Sequence, residues 1–207
     1  MKRNCIKYVG LMIDSNLNWK CQINCIAKKI KRSIGIISKL RHYVGQKILV
    51  NLYYALVYPF LIYGIPAWSN TYPSTIQPLF IIQKKVMRII TFSKFDASSS
   101  PLFRNLNIIK LHVLAKLHIA IFIYKFHNRL LPSVFDEFFT PVNKIRKYNT
   151  RHASKMTFSL PNLRTNYSIF NIRFQGTKIW NCLDESTKHL SLSQFKKKIM
   201  SDFIVDY

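Results

Sequence analysis

The run WKCQINCIAKKIKRSIGIISKL, residues 19–40, decides how the rest of the chain is read. Trp19, Ile23, Ile26, Ile30, Ile34, Ile37 and Leu40 recur at helical spacing, which lines them up on one face of an α-helix. Lys28, Arg32 and Lys39 fall on the opposite face, flanked by Lys29 and Lys31, and Cys21 and Cys25 share that polar side. The pattern predicts a long helix with a dry face for packing and a cationic face for something anionic.

Upstream, Ile6 to Ile13 is β-prone, with Asp14-Ser15-Asn16 as a turn. Downstream, Ile48 to Gln83 holds no charged residue. Ile48–Trp68 is long enough to suggest a transmembrane span. Pro59 and Pro66 interrupt it, Gly64 weakens it, and Asn51, Tyr53, Tyr54, Tyr58 and Tyr63 place polar atoms mid-run, where membrane belts keep aromatics at the ends. The expectation is a buried helix kinked near Pro59, with no membrane partner; a small cationic membrane-associated protein spanning Ile48–Trp68 is the alternative.

Ser74 can cap the next helix, whose apolar stripe holds Ile76, Leu79, Ile82, Val86, Ile89 and Ile90. Lys84 and Arg88 project together from its far side, with Lys85 nearby. The polar break from Lys94 to Pro101 is the expected domain boundary. A third amphipathic helix is expected over Leu111–Asn128, stopped by Leu131-Pro132. Residues 140–175 read as irregular or extended, with Lys144, Arg146, Lys147, Arg151, Lys155, Arg164 and Arg173 among Tyr148, Tyr167 and Phe170. A short helix or turn surrounds Trp180. Ser191 and Gln194 form a capping box for a last helix that turns Phe195, Ile199 and Phe203 inward and Lys196, Lys197 and Lys198 to water. The fold class is therefore mainly α, with one short β element at the start.

The charge balance narrows function. There are 32 Lys+Arg against 8 Asp+Glu, a formal net charge of +24. A folded chain this basic repels itself unless a polyanion neutralises it. Nucleic acid suits best, because each neutralised phosphate also releases condensed counterions. With 49% hydrophobic and 14% aromatic residues the chain is too apolar for disorder. Asp14 is the only carboxylate before Asp96, whereas two-metal phosphoryl transfer and acid–base pairs need clustered carboxylates. No Walker loop, G-x-S-x-G, H-E-x-x-H or D-D pair is present. Cys5, Cys21, Cys25 and Cys182 read as ordinary thiols, since zinc needs about four ligands and no second pair follows at finger spacing. The start, Met1-Lys2-Arg3-Asn4, is not a secretory leader, so a nuclear or cytoplasmic location is expected.

Several blocks in order resemble the end of reverse transcriptases from non-LTR (LINE-type, jockey-like) retrotransposons. Lys7-Tyr8-Val9-Gly10-Leu11-Met12-Ile13-Asp14 with Leu17-Asn18-Trp19 looks like the block that ends the polymerase palm. Tyr58-Pro59-Phe60-Leu61-Ile62-Tyr63-Gly64 with Trp68, and Gln83-Lys84-Lys85-Val86-Met87-Arg88-Ile89-Ile90, look like thumb blocks. Ser100-Pro101-Leu102-Phe103, Tyr148-Asn149-Thr150-Arg151, Arg164-Thr165-Asn166-Tyr167 and Gly176 through Trp180-Asn181 resemble later ones. Thr177 and Asp184 stand where the family tends to carry proline, and Ser168 where glycine is common.

The resemblance implies a palm end over 1–18, a thumb-like helical bundle over 19–95, and a mixed, mostly helical C-terminal segment over 96–207. It implies a fragment of an RNA-directed DNA polymerase whose catalytic aspartates and Mg2+ belong to a part absent here. No catalytic residue, metal or cofactor is then expected in this chain, which would be inactive alone. The expected partners are RNA and RNA–DNA duplex. Lys28, Lys29, Lys31, Arg32, Lys84, Lys85 and Arg88 are the expected phosphate contacts, and Gly10 would let backbone approach a strand closely. A pseudogene product with no function is the other alternative. Translating the genomic frame upstream of Met1 is expected to reveal palm motifs with an Asp-Asp pair; an unrelated promoter and leader there would refute the resemblance.

Overall fold

The computed structural model describes residues 5–142 and 157–205 and is mainly helical, with one two-stranded sheet near the start. The chain forms two compact units, Met1–Leu114 and Ala115–Tyr207. The 94–101 break lies within the first. Lys144, Arg146, Lys147, Lys155 and the Tyr148–Arg151 block lie outside the described residues.

The first unit opens on a hairpin, where a single β-prone run was expected. β1 (Cys5–Tyr8) pairs antiparallel with β2 (Leu11–Asp14), Cys5 opposite Asp14 and Tyr8 opposite Leu11. Val9 (φ 43°) and Gly10 (φ 80°) make the turn. Two positive φ values match the right-handed twist of the strands, but a β-branched residue there is an outlier that no sequence pattern announces. The buried carboxylate of Asp14 then accepts the backbone N–H groups of Asn16, Asn18 and Trp19 at 3.1, 3.0 and 2.9 Å. It holds the left-handed turns at Leu17 and Trp19 that lead into α1 (Lys20–Leu40).

Ile23, Ile26, Ile30, Ile34 and Ile37 of α1 are all buried, as their spacing predicts, and α1 packs on α5 (Pro73–Ile90). Each fully buried isoleucine contributes about 1.5–3 kcal/mol. α5 starts at Pro73, with Tyr72 as its cap residue, so Ser74 is not the cap. Proline at the first helical position lacks an N–H that would be unsatisfied there anyway.

The uncharged stretch is cut into α2 (Gln46–Leu56), α3 (Tyr58–Ile62) and α4 (Ile65–Trp68). The break at Pro59 was expected. A second break follows, where Tyr63 is extended and Gly64 has φ 61°. The indole Nε1 of Trp68 donates to the Tyr63 carbonyl at 2.8 Å and fixes that corner. Among the described residues no helix is long and apolar enough to cross a membrane. The hairpin seats on this corner: the Tyr63 hydroxyl donates to the Val9 carbonyl at 2.6 Å. A Cβ on Gly10 would lie 3.0 Å from that hydroxyl, and one on Gly64 would lie 3.0 Å from the Leu11 methyls.

Gln83 of α5 is the buried polar centre of the unit. Its Nε2 donates to the Tyr53 hydroxyl at 3.0 Å and to the Ile109 carbonyl at 2.9 Å, and its Oε1 accepts the Leu111 N–H at 2.9 Å. It thereby joins α2, α5 and the start of α7 (Leu111–His127). Between α5 and α7 lies α6 (Ser99–Asn105).

α7 is buried around most of its circumference, at Leu111, Val113, Leu114, Ala115, Leu117, Ile119, Ala120, Ile123 and Tyr124. The single amphipathic stripe expected for it is thus too narrow. In the second unit Tyr124, Phe139, Phe158, Trp180 and Phe195 form an aromatic core. Gly176 lies in the helix Ile172–Asn181, and a Cβ there would collide with Ile123. The Asn181 amide clips the backbone of Phe158, donating to its carbonyl at 2.8 Å and accepting its N–H at 3.0 Å. His127 lies against Trp180, and burial first, then the charges of His189 and Lys188, lowers its pKa. The Ser191–Gln194 capping box forms as predicted: Gln194 Oε1 accepts the Ser191 N–H, and Ser191 Oγ accepts the Gln194 N–H. In the helix that follows, Leu192–Val205, Phe195 and Ile199 are buried while Lys196, Lys197 and Lys198 are exposed.

Replacing Gln83 by Leu keeps the volume and leaves Tyr53, Ile109 and Leu111 without their amide partner. The unfolding free energy in urea is expected to fall by about 2–4 kcal/mol; a change below about 0.5 kcal/mol would show that the amide carries no such role.

Candidate nucleic-acid interface

Lys28, Lys29, Lys31 and Arg32 are all exposed on α1, while Ile26 before them and Ile30 between them are buried. Helical periodicity is the cause: with the isoleucines committed to the core, the residues on the opposite side of the helix face water. The Lys29 ammonium lies 5.3 Å from the Phe60 ring centroid, which steadies one cation against α3.

The α5 cations are held differently. Lys84 and Arg88 are half-buried, so they do not project together into solvent as expected; Lys85 is exposed. Lys84 lies 4.3 Å from the Phe80 ring centroid on its own helix. Arg88 donates through Nε to the Ala97 carbonyl at 3.0 Å and lies over Phe95 at 5.9 Å. Lys29 is thus held against α3, Lys84 against its own helix, and Arg88 against the loop before α6.

Gly10 occupies the hairpin turn, and its close neighbour within the chain is Tyr63. Asp14, the carboxylate of the first block, does not fit a metal-ligand role, since it is buried and both of its oxygens accept backbone N–H groups. Among the described residues no three His, Cys, Asp or Glu side chains gather as a metal site would require.

The expectation of four ordinary thiols needs correction. Cys5 of β1 is joined to Cys21 of α1 in a disulfide, while Cys25 and Cys182 are free. Sequence spacing set Cys21 and Cys25 on one side of one helix and gave Cys5 no partner. The hairpin instead brings β1 back alongside the first turn of α1.

Two further cations of the first unit, Arg104 and Lys110, were not singled out by the sequence. Lys110 is buried, with its ammonium 3.3 Å from the Ser100 hydroxyl, and Arg104 is exposed on α6. Burial, then the charges of Arg104 and Lys84, lowers the Lys110 pKa. A lysine set among Ile108, Ile109 and Leu111 is a sequence signal for a buried cation, but its neighbours are set by tertiary packing alone.

No protein-family profile, no curated protein and no solved structure matches the chain.

Alkylation and mass spectrometry of protein purified without reductant are expected to label Cys25 and Cys182 only. Replacing Cys5 by Ser opens a loop with a sequence separation of 16 and is expected to cost about 3 kcal/mol of stability. Labelling of all four cysteines under those conditions would refute the bridge.

Proposed function

We propose that this chain is a nucleic-acid-gripping piece of a non-LTR reverse transcriptase, comprising the palm end, a thumb-like bundle and a C-terminal segment. It binds RNA and RNA–DNA duplex and performs no polymerisation by itself. The observation that carries this is the cationic face of α1. Lys28, Lys29, Lys31 and Arg32 stand exposed on a helix whose other face is locked into the core. A rigid row of cations suits a phosphate backbone, whose charges repeat along a fixed helix, and it reads shape rather than base sequence.

The order of the resembling blocks gives separate support. Two of them meet physically: Tyr63 and Gly64 of one receive Val9, Gly10 and Leu11 of the other. The two blocks therefore pack as one part of the first unit. Mg2+ would supply Lewis-acid and nucleophile-activating chemistry to the parent polymerase. Among the described residues the carboxylates offer it no cage.

Duplex affinity measured by fluorescence anisotropy is expected to fall steeply with salt, with little preference among sequences. Reversing charge at both Lys28 and Arg32 should weaken binding to every sequence by about tenfold or more and flatten the salt slope by about two. Unchanged affinity in that variant would remove the α1 face from the interface and with it this function.

A further inference from the structure

We propose that the cavity between the Glu137–Thr140 turn and the helix Ile172–Asn181 is a binding site for a single ribonucleotide. It lies wholly in the second unit, so it stands or falls independently of the α1 interface.

The cavity measures about 390 Å3, within the range of about 300–1,000 Å3 usual for small-molecule sites. Glu137, Phe138, Leu160, Pro161, Arg173 and Thr177 line it. Its walls are fixed by contacts on three sides. The Ser159 N–H donates to the Thr140 carbonyl at 2.8 Å, and Pro141 faces Phe158 in an antiparallel bridge, which ties two lining segments together. The Asn181 amide clips Phe158 to the helix that carries Arg173 and Thr177. Phe139, also in the wall, is buried against Phe158 in the aromatic core.

The lining offers three kinds of chemistry. The Arg173 guanidinium lies over the Phe138 ring, 4.5 Å from its centroid. A cation–π contact holds a guanidinium without consuming its N–H donors, so the fork can take two oxygens of a phosphate. Glu137 is an exposed carboxylate on the same cavity. An ionised carboxylate only accepts hydrogen bonds, which suits the hydroxyls of a ribose. Leu160, 49% exposed, and Pro161 form an apolar rim against which the face of a base can lie. Thr177 stands four residues after Arg173, hence on the same helix face, and its buried hydroxyl has no partner among the described residues. A polar ligand atom at that floor would supply one. A ribonucleotide carries phosphate, sugar hydroxyls and base on one unit. Inorganic phosphate would use the guanidinium alone, and a nucleoside would leave it unmet.

The test uses the full chain and two substitutions at exposed positions, Arg173→Gln and Glu137→Gln. Adenosine monophosphate, deoxyadenosine monophosphate, inorganic phosphate and a short single-stranded oligo(A) RNA are titrated separately while the backbone amides of Phe138, Ser159 and Arg173–Thr177 are followed by NMR. The expected result is a saturable shift with adenosine monophosphate that Arg173→Gln weakens about tenfold or more. The ribonucleotide should bind more tightly than its deoxy counterpart, and Glu137→Gln should erase that preference. Oligo(A) moving the same amides would support the site and assign it a nucleotide within an RNA strand; a shift with the monophosphate only would support it and assign a free nucleotide. Absence of a saturable shift, equal affinity in Arg173→Gln, equal affinity for the two nucleotides in wild type, or inorganic phosphate binding as tightly as the nucleotide would overturn the proposal. The Lys28/Arg32 charge reversal should leave the monophosphate shift in place. Duplex binding unaffected by that reversal would remove the proposed function and leave this site standing, whereas a missing monophosphate shift would remove this site and leave that function.

Discussion

The first unit turns on the buried amide of Gln83. An amide side chain in an apolar interior costs several kcal/mol unless it is hydrogen-bonded. Here both donors and the acceptor are used, on Tyr53, Ile109 and Leu111. That pattern permits one rotation of α5 about its axis. In that rotation Leu79, Val86 and Ile90 are buried, Lys85 is exposed, and Lys84 and Arg88 lie at the margin. A helix of hydrophobic residues alone could settle at several neighbouring angles; the amide removes that freedom. The position of the α5 cations is thus a consequence of one neutral side chain.

Electrostatics then follows from scarcity of acid. The carboxylate that opens the first unit, Asp14, serves the backbone of the loop before α1. Cations of α1 and α5 rest on aromatic rings and a carbonyl: Lys29 on Phe60, Lys84 on Phe80, Arg88 on Ala97. These partners position charge without cancelling it. The surface is left with its field intact, as binding to a polyanion requires.

The parts of the fold legible in the sequence are those governed by local rules. The isoleucine spacing of α1 fixes both its buried and its cationic face, so four expected contact residues are exposed where periodicity put them. The Ser191–Gln194 box and the bend at Pro59 are equally local. What escaped notice depends on distant partners or rare geometry. Val9 carries no mark of a positive φ, so a hairpin looked like one strand. Cys5 meets Cys21 only because that hairpin folds back. Ser74 lost the cap position because Pro73 can open a helix without a donor. α7 is buried on too many sides for one stripe to describe.

The Tyr63–Val9 contact spans 54 residues and the Thr71–Asn18 contact spans 53. On a growing chain the hairpin therefore emerges long before the corner that receives it. Until then α1 alone is its packing surface, through the Cys5–Cys21 bridge and the Met12 N–H donated to Gln22 Oε1 at 2.8 Å. Gln83 extends the delay, because two of its three partners, Ile109 and Leu111, are made later still. The hairpin can consequently be seated only once the Tyr63–Trp68 corner has been made, and Gln83 is satisfied only once Leu111 has.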